Sequence, residues 1–386
     1  MKRILIFSLA YYPSHVSGAE AAVKEITERI SPQDIEFHMV TLRFDSAAAA
    51  TEQIGHVLVH RIGSGSYLGK MLFPINAALK AHSLHALHRY DALWALMTYM
   101  LIPAALLRLV GTKIPHVLTL QDGDPYERVF GRLRILPFIG LIDAGFRSAA
   151  VVQAISNYLA TWPKLRGSDT PVEIIRNGAN PKDLKESFDP AAVEALKAKW
   201  GKQAGDVWLV NTSRLEYQKA QDIVVRALPL LPSNIKFLVV GGGQDEAMLK
   251  GLAKELGVGD RVMFAGQVTR DEVTAYRRAS DIFVANSRSE GLGNAFLSAL
   301  ASRLPLITTG VGGMADYARD GETAWIVPVD DPPALAEKVK EVLANPHKAK
   351  EISERARTMI EEQYDWDKIA VQMREKVFAR IVGRQE

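Results

Sequence analysis

Short apolar runs alternate with helix-length segments along the whole chain, and no other feature constrains its fold as strongly. Strands separated by helices cannot pair as tight hairpins; each return needs a crossover, which gives parallel strands buried on both faces. In the first part the runs are ILIFSLA, FHMVTL, HVLVHRI, DALWAL, PHVLTL, VVQAI and VEII, with a helix expected across Ala19 to Ile30. The pattern breaks at the polar stretch Asn177 to Lys185, which carries Gly178 and Pro181. After a helix from Ala191 to Trp200 it restarts with VWLVNTS, KFLVVGGG, RVMFAG, DIFVANS, LPLITTG and AWIVPV. The amphipathic stretches Ala334 to Leu343 and Asp367 to Val382 complete it. This is an α/β pattern with two Rossmann-like parallel-sheet domains, and 386 residues exceed what one core usually serves.

The absence of cysteine excludes disulfides, thiolate metal sites and a cysteine nucleophile, and it fits a cytoplasmic setting. The apolar start ends within a few residues at Tyr11, Tyr12 and Pro13, so it reads as a buried first strand rather than a signal peptide. Ala92 to Val110 is interrupted by Pro103 and charged at Arg108, so it reads as a strand and a helix rather than a membrane span. Up to Asn180 there are 18 Lys/Arg against 14 Asp/Glu and eight of the nine histidines. That mild basicity suits either an anionic acceptor or membrane surface, or simply a solvated charged face.

In open α/β sheets, ligands bind beyond the carboxyl ends of the strands, so the loops that follow strands are the places to look for chemistry. Tyr12 to Glu20 is a small-residue loop entering a helix, where Gly18 would let a phosphate approach, or serve only the turn. Asn211 to Lys219 places Arg214 and Lys219 just before a helix, a pairing suited to a diphosphate or to two surface cations. Gly241-Gly242-Gly243 follows a strand but lacks the spacing and the acid of a dinucleotide fingerprint, which disfavours NAD. Ser287 to Phe296 sets Glu290 before Gly291, Leu292, Gly293 and Asn294 at a helix start. A carboxylate that accepts sugar hydroxyls would then sit beside backbone donors for phosphate, unless Glu290 serves only the helix terminus.

The chain resembles the retaining glycosyltransferases of family 4 in five motifs that occur in family order. They are Ser17-Gly18-Ala19-Glu20, Thr119-Leu120-Gln121-Asp122, Arg176-Asn177-Gly178-Ala179-Asn180, Ser213-Arg214-Leu215 with Lys219-Ala220, and Glu290-Gly291-Leu292-Gly293; Val311-Gly312-Gly313 also matches. The resemblance implies the GT-B fold, two Rossmann-like domains facing across a cleft. Residues 1–180 would form the acceptor side and 186–362 the nucleotide-sugar side, with helix 364–383 crossing back to the first domain. It implies Arg214 and Lys219 on the diphosphate and Glu290 on sugar hydroxyls, these three being the catalytic set. Gly18, Gly291, Leu292, Gly293, Asn294 and Ser298 would bind the donor, with the nucleobase near Gly242, Gly266 and Val268. Gln121, Asp122 and Asn177 would lie on the sugar or acceptor side.

The activity implied is hexosyl transfer with retention, without metal or cofactor, from a UDP- or GDP-sugar to a glycan or lipid-linked acceptor, as in polysaccharide biosynthesis. The departing phosphate would take the acceptor's proton. The expected setting is cytoplasmic, with peripheral contact at the inner membrane surface considered and nucleic acid not expected. Two departures support an alternative, a degenerate member that binds nucleotide or glycan without turnover: Ser298 stands where the family has a ribose-binding Glu, and Gln121 where it often has His. Within Gly63 to His88, Lys70, Lys80, Met71, Leu72, Phe73 and Ile75 read either as a membrane-resting surface or as a buried helix.

Overall fold

Ile4, Leu5, Ile6 and Phe7 have no exposed surface, because the strand they form is covered on both faces. The computed structural model describes residues 1–13, 16–185, 189–270 and 272–383, and the chain divides into two compact units, Met1–Asn177 with Trp366–Glu386, and Gly178–Asp365. Ser14 and His15 of the first loop lie outside the described residues.

The first unit holds β1 (Lys2–Phe7), β2 (Ile35–Leu42), β3 (Thr51–Ile54), β4 (Val57–Ile62), β5 (Ala92–Leu96), β6 (His116–Leu120), β7 (Val151–Ala154) and β8 (Val172–Ile174). They are ordered β3-β4-β2-β1-β5-β6-β7-β8, all parallel except β3, an exposed edge strand antiparallel to β4. Chain order reverses on either side of β1, which pairs with β2 and β5, and such a reversal opens a crevice at the carboxyl edge. The helix Gly18–Glu28 starts there on a capping box, with Ser17 N donating to Glu20 Oε2 at 2.7 Å. Trp366, Ile369, Met373, Val377, Phe378 and Ile381 pack into this unit's core, and the Phe378 ring lies 5.0 Å from that of Trp94. His116 is buried at the start of β6, its Nε2 3.0 Å from Gly145 O.

The second unit holds β9 (Val207–Asn211), β10 (Ile235–Val240), β11 (Val262–Gly266), β12 (Ile282–Ala285), β13 (Leu306–Thr308) and β14 (Trp325–Ile326), all parallel and ordered β11-β10-β9-β12-β13-β14. Here the order reverses at β9, so the loops after β9, β10 and β12 converge on one edge. The segment after Asn177 is built into this unit rather than the first. Ala179 N donates to Tyr364 O at 3.1 Å and Asn180 N to Ser298 Oγ at 3.0 Å, while buried Asp183 pairs with Arg277.

Candidate functional site

Asn211, at the end of β9, sets the shape of the loop that follows. Its Nδ2 donates to Val284 O on β12 at 2.7 Å, and its Oδ1 accepts from Ser213 N at 3.1 Å. Gln221 then reaches back to Arg214 O at 3.0 Å. Ala220 closes the turn with φ +51°, a left-handed conformation that an L side chain adopts at a cost. Just before that turn, Lys219 extends to Glu290, Nζ to Oε1 2.6 Å, and both side chains are largely buried, 17% and 5% exposed. The Ser287 hydroxyl donates to the same carboxylate oxygen at 3.0 Å. The two residues taken from separate loops of the sequence thus meet as one ion pair.

Arg214 lies elsewhere, 65% exposed and paired with Glu216 at 2.8 Å. The two cations expected to act together are therefore held by different carboxylates. A second tie between the two loops comes from a residue the motif reading passed over, Arg288. It ion-pairs with Asp222 at 2.9 Å and Asp330 at 2.7 Å, its backbone N donates to Gln218 O at 2.7 Å, and its guanidinium lies 4.2 Å from the Tyr217 ring centroid. Only its position two residues before Glu290 hinted at this.

Glycines let these loops touch. A Cβ on Gly241 would come within 2.3 Å of Ser213 O, and one on Gly243 within 2.2 Å of Leu215 O. A Cβ on Gly242 would meet only Gln267 Cβ, at 3.8 Å, and Gly266 faces open space, its carbonyl accepting from Gly241 N at 2.9 Å. Val268 follows, half-buried, on the same rim. A Cβ on Gly312 would lie 2.2 Å from Glu290 O, the atom that accepts from Gly313 N, so this turn buttresses the glutamate. Gly291 is buried, and Gly293, at φ +87°, turns the chain into the helix Asn294–Ala301, whose positive end adjoins Glu290.

Three of the residues expected at the donor or the sugar also make contacts within the protein. Leu292 is buried and its carbonyl accepts from Tyr317 OH at 2.9 Å, so it anchors the loop that follows Glu290. Ser298 gives its hydroxyl proton to Asn294 O at 3.0 Å and accepts from Asn180 N, leaving one lone pair for a ribose hydroxyl. Asp122 is buried and bonded by Thr98 through N at 3.3 Å and Oγ1 at 3.0 Å; burial raises its carboxyl to about 6, against the two Thr98 bonds. It tethers the turn after β5. Gln121 and Asn177 do meet, Nδ2 to Oε1 at 2.9 Å, and Gly18 begins the first helix.

Two sheets reversing at their first strands, with a paired glutamate and lysine at the edge of the second, describe a GT-B protein. Residues 16–183 match the profile of Glycosyltransferase Family 4, and residues 192–359 that of Glycosyl transferases group 1. The chain belongs to the group 1 glycosyltransferases. It is 26% identical to N-acetyl-alpha-D-glucosaminyl L-malate synthase of Bacillus anthracis, over 95% of each chain. Its fold matches that of sucrose-phosphate synthase from Thermosynechococcus elongatus, TM-score 0.87 at 21% identity over all of both chains. It also matches Anabaena HepE, solved in complex with UDP and glucose, TM-score 0.80 at 19% identity, covering 98% of this chain and all of that one.

Proposed function

We propose that this glycosyltransferase moves a hexosyl group, with retention and without a metal, from a UDP- or GDP-sugar to a glycan or lipid-linked acceptor in the cytoplasm. The observation that carries this reading is the 2.6 Å pair of Lys219 and Glu290 beside a helix N-terminus. A diphosphate entering there takes Lys219 as its partner and leaves a Glu290 oxygen to accept hydroxyls of the sugar. As the glycosidic bond breaks, charge grows on the departing phosphate, where a fixed lysine and the helix terminus stabilise it most. Arg214, exposed on the same loop, is able to leave Glu216 for the second phosphate, and no metal is then required. The departing phosphate takes the acceptor's proton on the face it vacates, so retention needs no protein base.

The test is melting with UDP, GDP, ADP and NAD, then mass-spectrometric hydrolysis of the matching nucleotide-sugar. One nucleoside diphosphate raises the melting point, and hydrolysis disappears in Glu290→Ala. Stabilisation without turnover of any donor or acceptor mixture would instead establish the degenerate binding protein, and tight NAD binding would overturn both.

A further inference from the structure

The first four turns of the helix Tyr67–His88 present Tyr67, Leu68, Met71, Leu72, Ile75 and Leu79 to solvent, each between 42% and 73% exposed. Their spacing places them on one stripe, while Phe73, Ala77, Ala78, Ala81 and Leu84 fill the buried side. Phe73 thus leaves the group expected from the sequence, and Tyr67, Leu68 and Leu79 join it. A second apolar segment in the same unit exposes Leu133 (84%), Leu136 (48%) and Phe138 (41%). The helix follows β4 and the second segment follows β6, strands that run the same way in one sheet, so both leave its carboxyl edge.

Charge selects what covers them. No Asp or Glu occurs between Glu52 and Asp91, nor between Glu127 and Asp143, while Lys70, Lys80, Arg128, Arg132 and Arg134 fall within these stretches; Arg128 and Arg132 share the single carboxylate of Asp124, so the cations stay in excess. A second copy of the chain would set cation against cation, and a convex helix face has no pocket for a peptide. An anionic bilayer satisfies both features, taking apolar side chains below its headgroups and pairing the cations with them. No helix among the described residues is long and apolar enough to cross a membrane, so the contact is interfacial.

We propose that Tyr67–Leu79 and Leu133–Phe138 dock the first unit on an anionic lipid surface, which brings the carboxyl edge of its sheet to a membrane-held acceptor. The acceptor half of this statement rests on the transferase reading; the docking does not. The test is flotation of the full chain with vesicles of phosphatidylcholine alone or mixed with phosphatidylglycerol, at low and high salt. The bound fraction should be about tenfold higher on the anionic vesicles and fall with salt. Met71→Glu with Ile75→Glu, and separately Leu133→Glu with Leu136→Glu, should abolish flotation while melting stays unchanged. Absence of flotation, variants that float like the parent, or a parent dimer that these variants dissociate would each overturn it. Donor hydrolysis measured on the same preparations judges the transferase reading separately, since neither pair lies at Lys219 or Glu290.

Discussion

Lys219→Ala leaves the largely buried carboxylate of Glu290 with the Ser287 hydroxyl as its remaining side-chain partner from the pair of contacts at Oε1. Breaking a buried pair from one side costs about 3–5 kcal/mol, and the retained hydroxyl with slight exposure brings this to about 2–3. In a unit of this size that lowers melting by about 5–10 °C. Adding Glu290→Gln removes the stranded charge and should recover most of the loss. Activity should behave differently: kcat/KM falls about 10²–10³-fold in Lys219→Ala and stays there in the double variant, because the missing charge acts on the diphosphate. The assay is calorimetry paired with donor turnover on the parent, both single variants and the double. A double variant that regains turnover along with stability would show the pair to be a structural tie, and the chemistry assigned to it would be wrong.

Other consequences follow from single contacts. Ala220→Gly relieves a left-handed φ at some cost in unfolded-chain entropy, for a net gain of about 0.5–1 kcal/mol, visible as melting about 1–4 °C higher; unchanged or lower melting would contradict the strain. Ser298→Ala orphans the amide of Asn180, so hydrogen exchange there should quicken and stability fall by about 1–3 kcal/mol, with nucleotide affinity nearly unchanged. A tenfold loss of affinity without that change in exchange would restore Ser298 as a ribose ligand. His116 is pushed down to about 4 from 6.5 by burial and by Arg108, against the Gly145 bond. Its folded value lies below its unfolded one, so its contribution is complete above 6.5 and lost as pH falls through 4, about 3 kcal/mol in all. His116→Asn should flatten unfolding free energy over that window by about one proton's worth, whatever its effect at neutral pH.

The parallel strands were legible because burial on both faces demands unbroken apolar runs, and ILIF and FLVV carry them. The edge strand Thr51–Ile54 was not, since TEQI is exposed and has no apolar rhythm. Lys219 and Glu290 stood out from the motifs around them, yet their contact is a tertiary fact: 71 positions separate them and no local pattern joins them. Arg288 and Asp183 escaped for the same reason, as each finds its carboxylate or guanidinium far along the chain. The extent of the second unit differs from the sequence expectation by a few residues because Gly178 to Asn180 look like linker, while the amides of Ala179 and Asn180 find acceptors in it.

Arg288 grips the loop after β9 through Tyr217, Gln218 and Asp222, and the turn at Asp330, while belonging itself to the loop of Glu290. These segments are fastened together as part of folding, not on arrival of a ligand. A nucleotide bound beside Lys219 and Glu290, as proposed, would meet segments that Arg288 already holds together. Calorimetric titration should accordingly show a small entropic opposition, and single-step association kinetics that remain single-step at high nucleotide concentration.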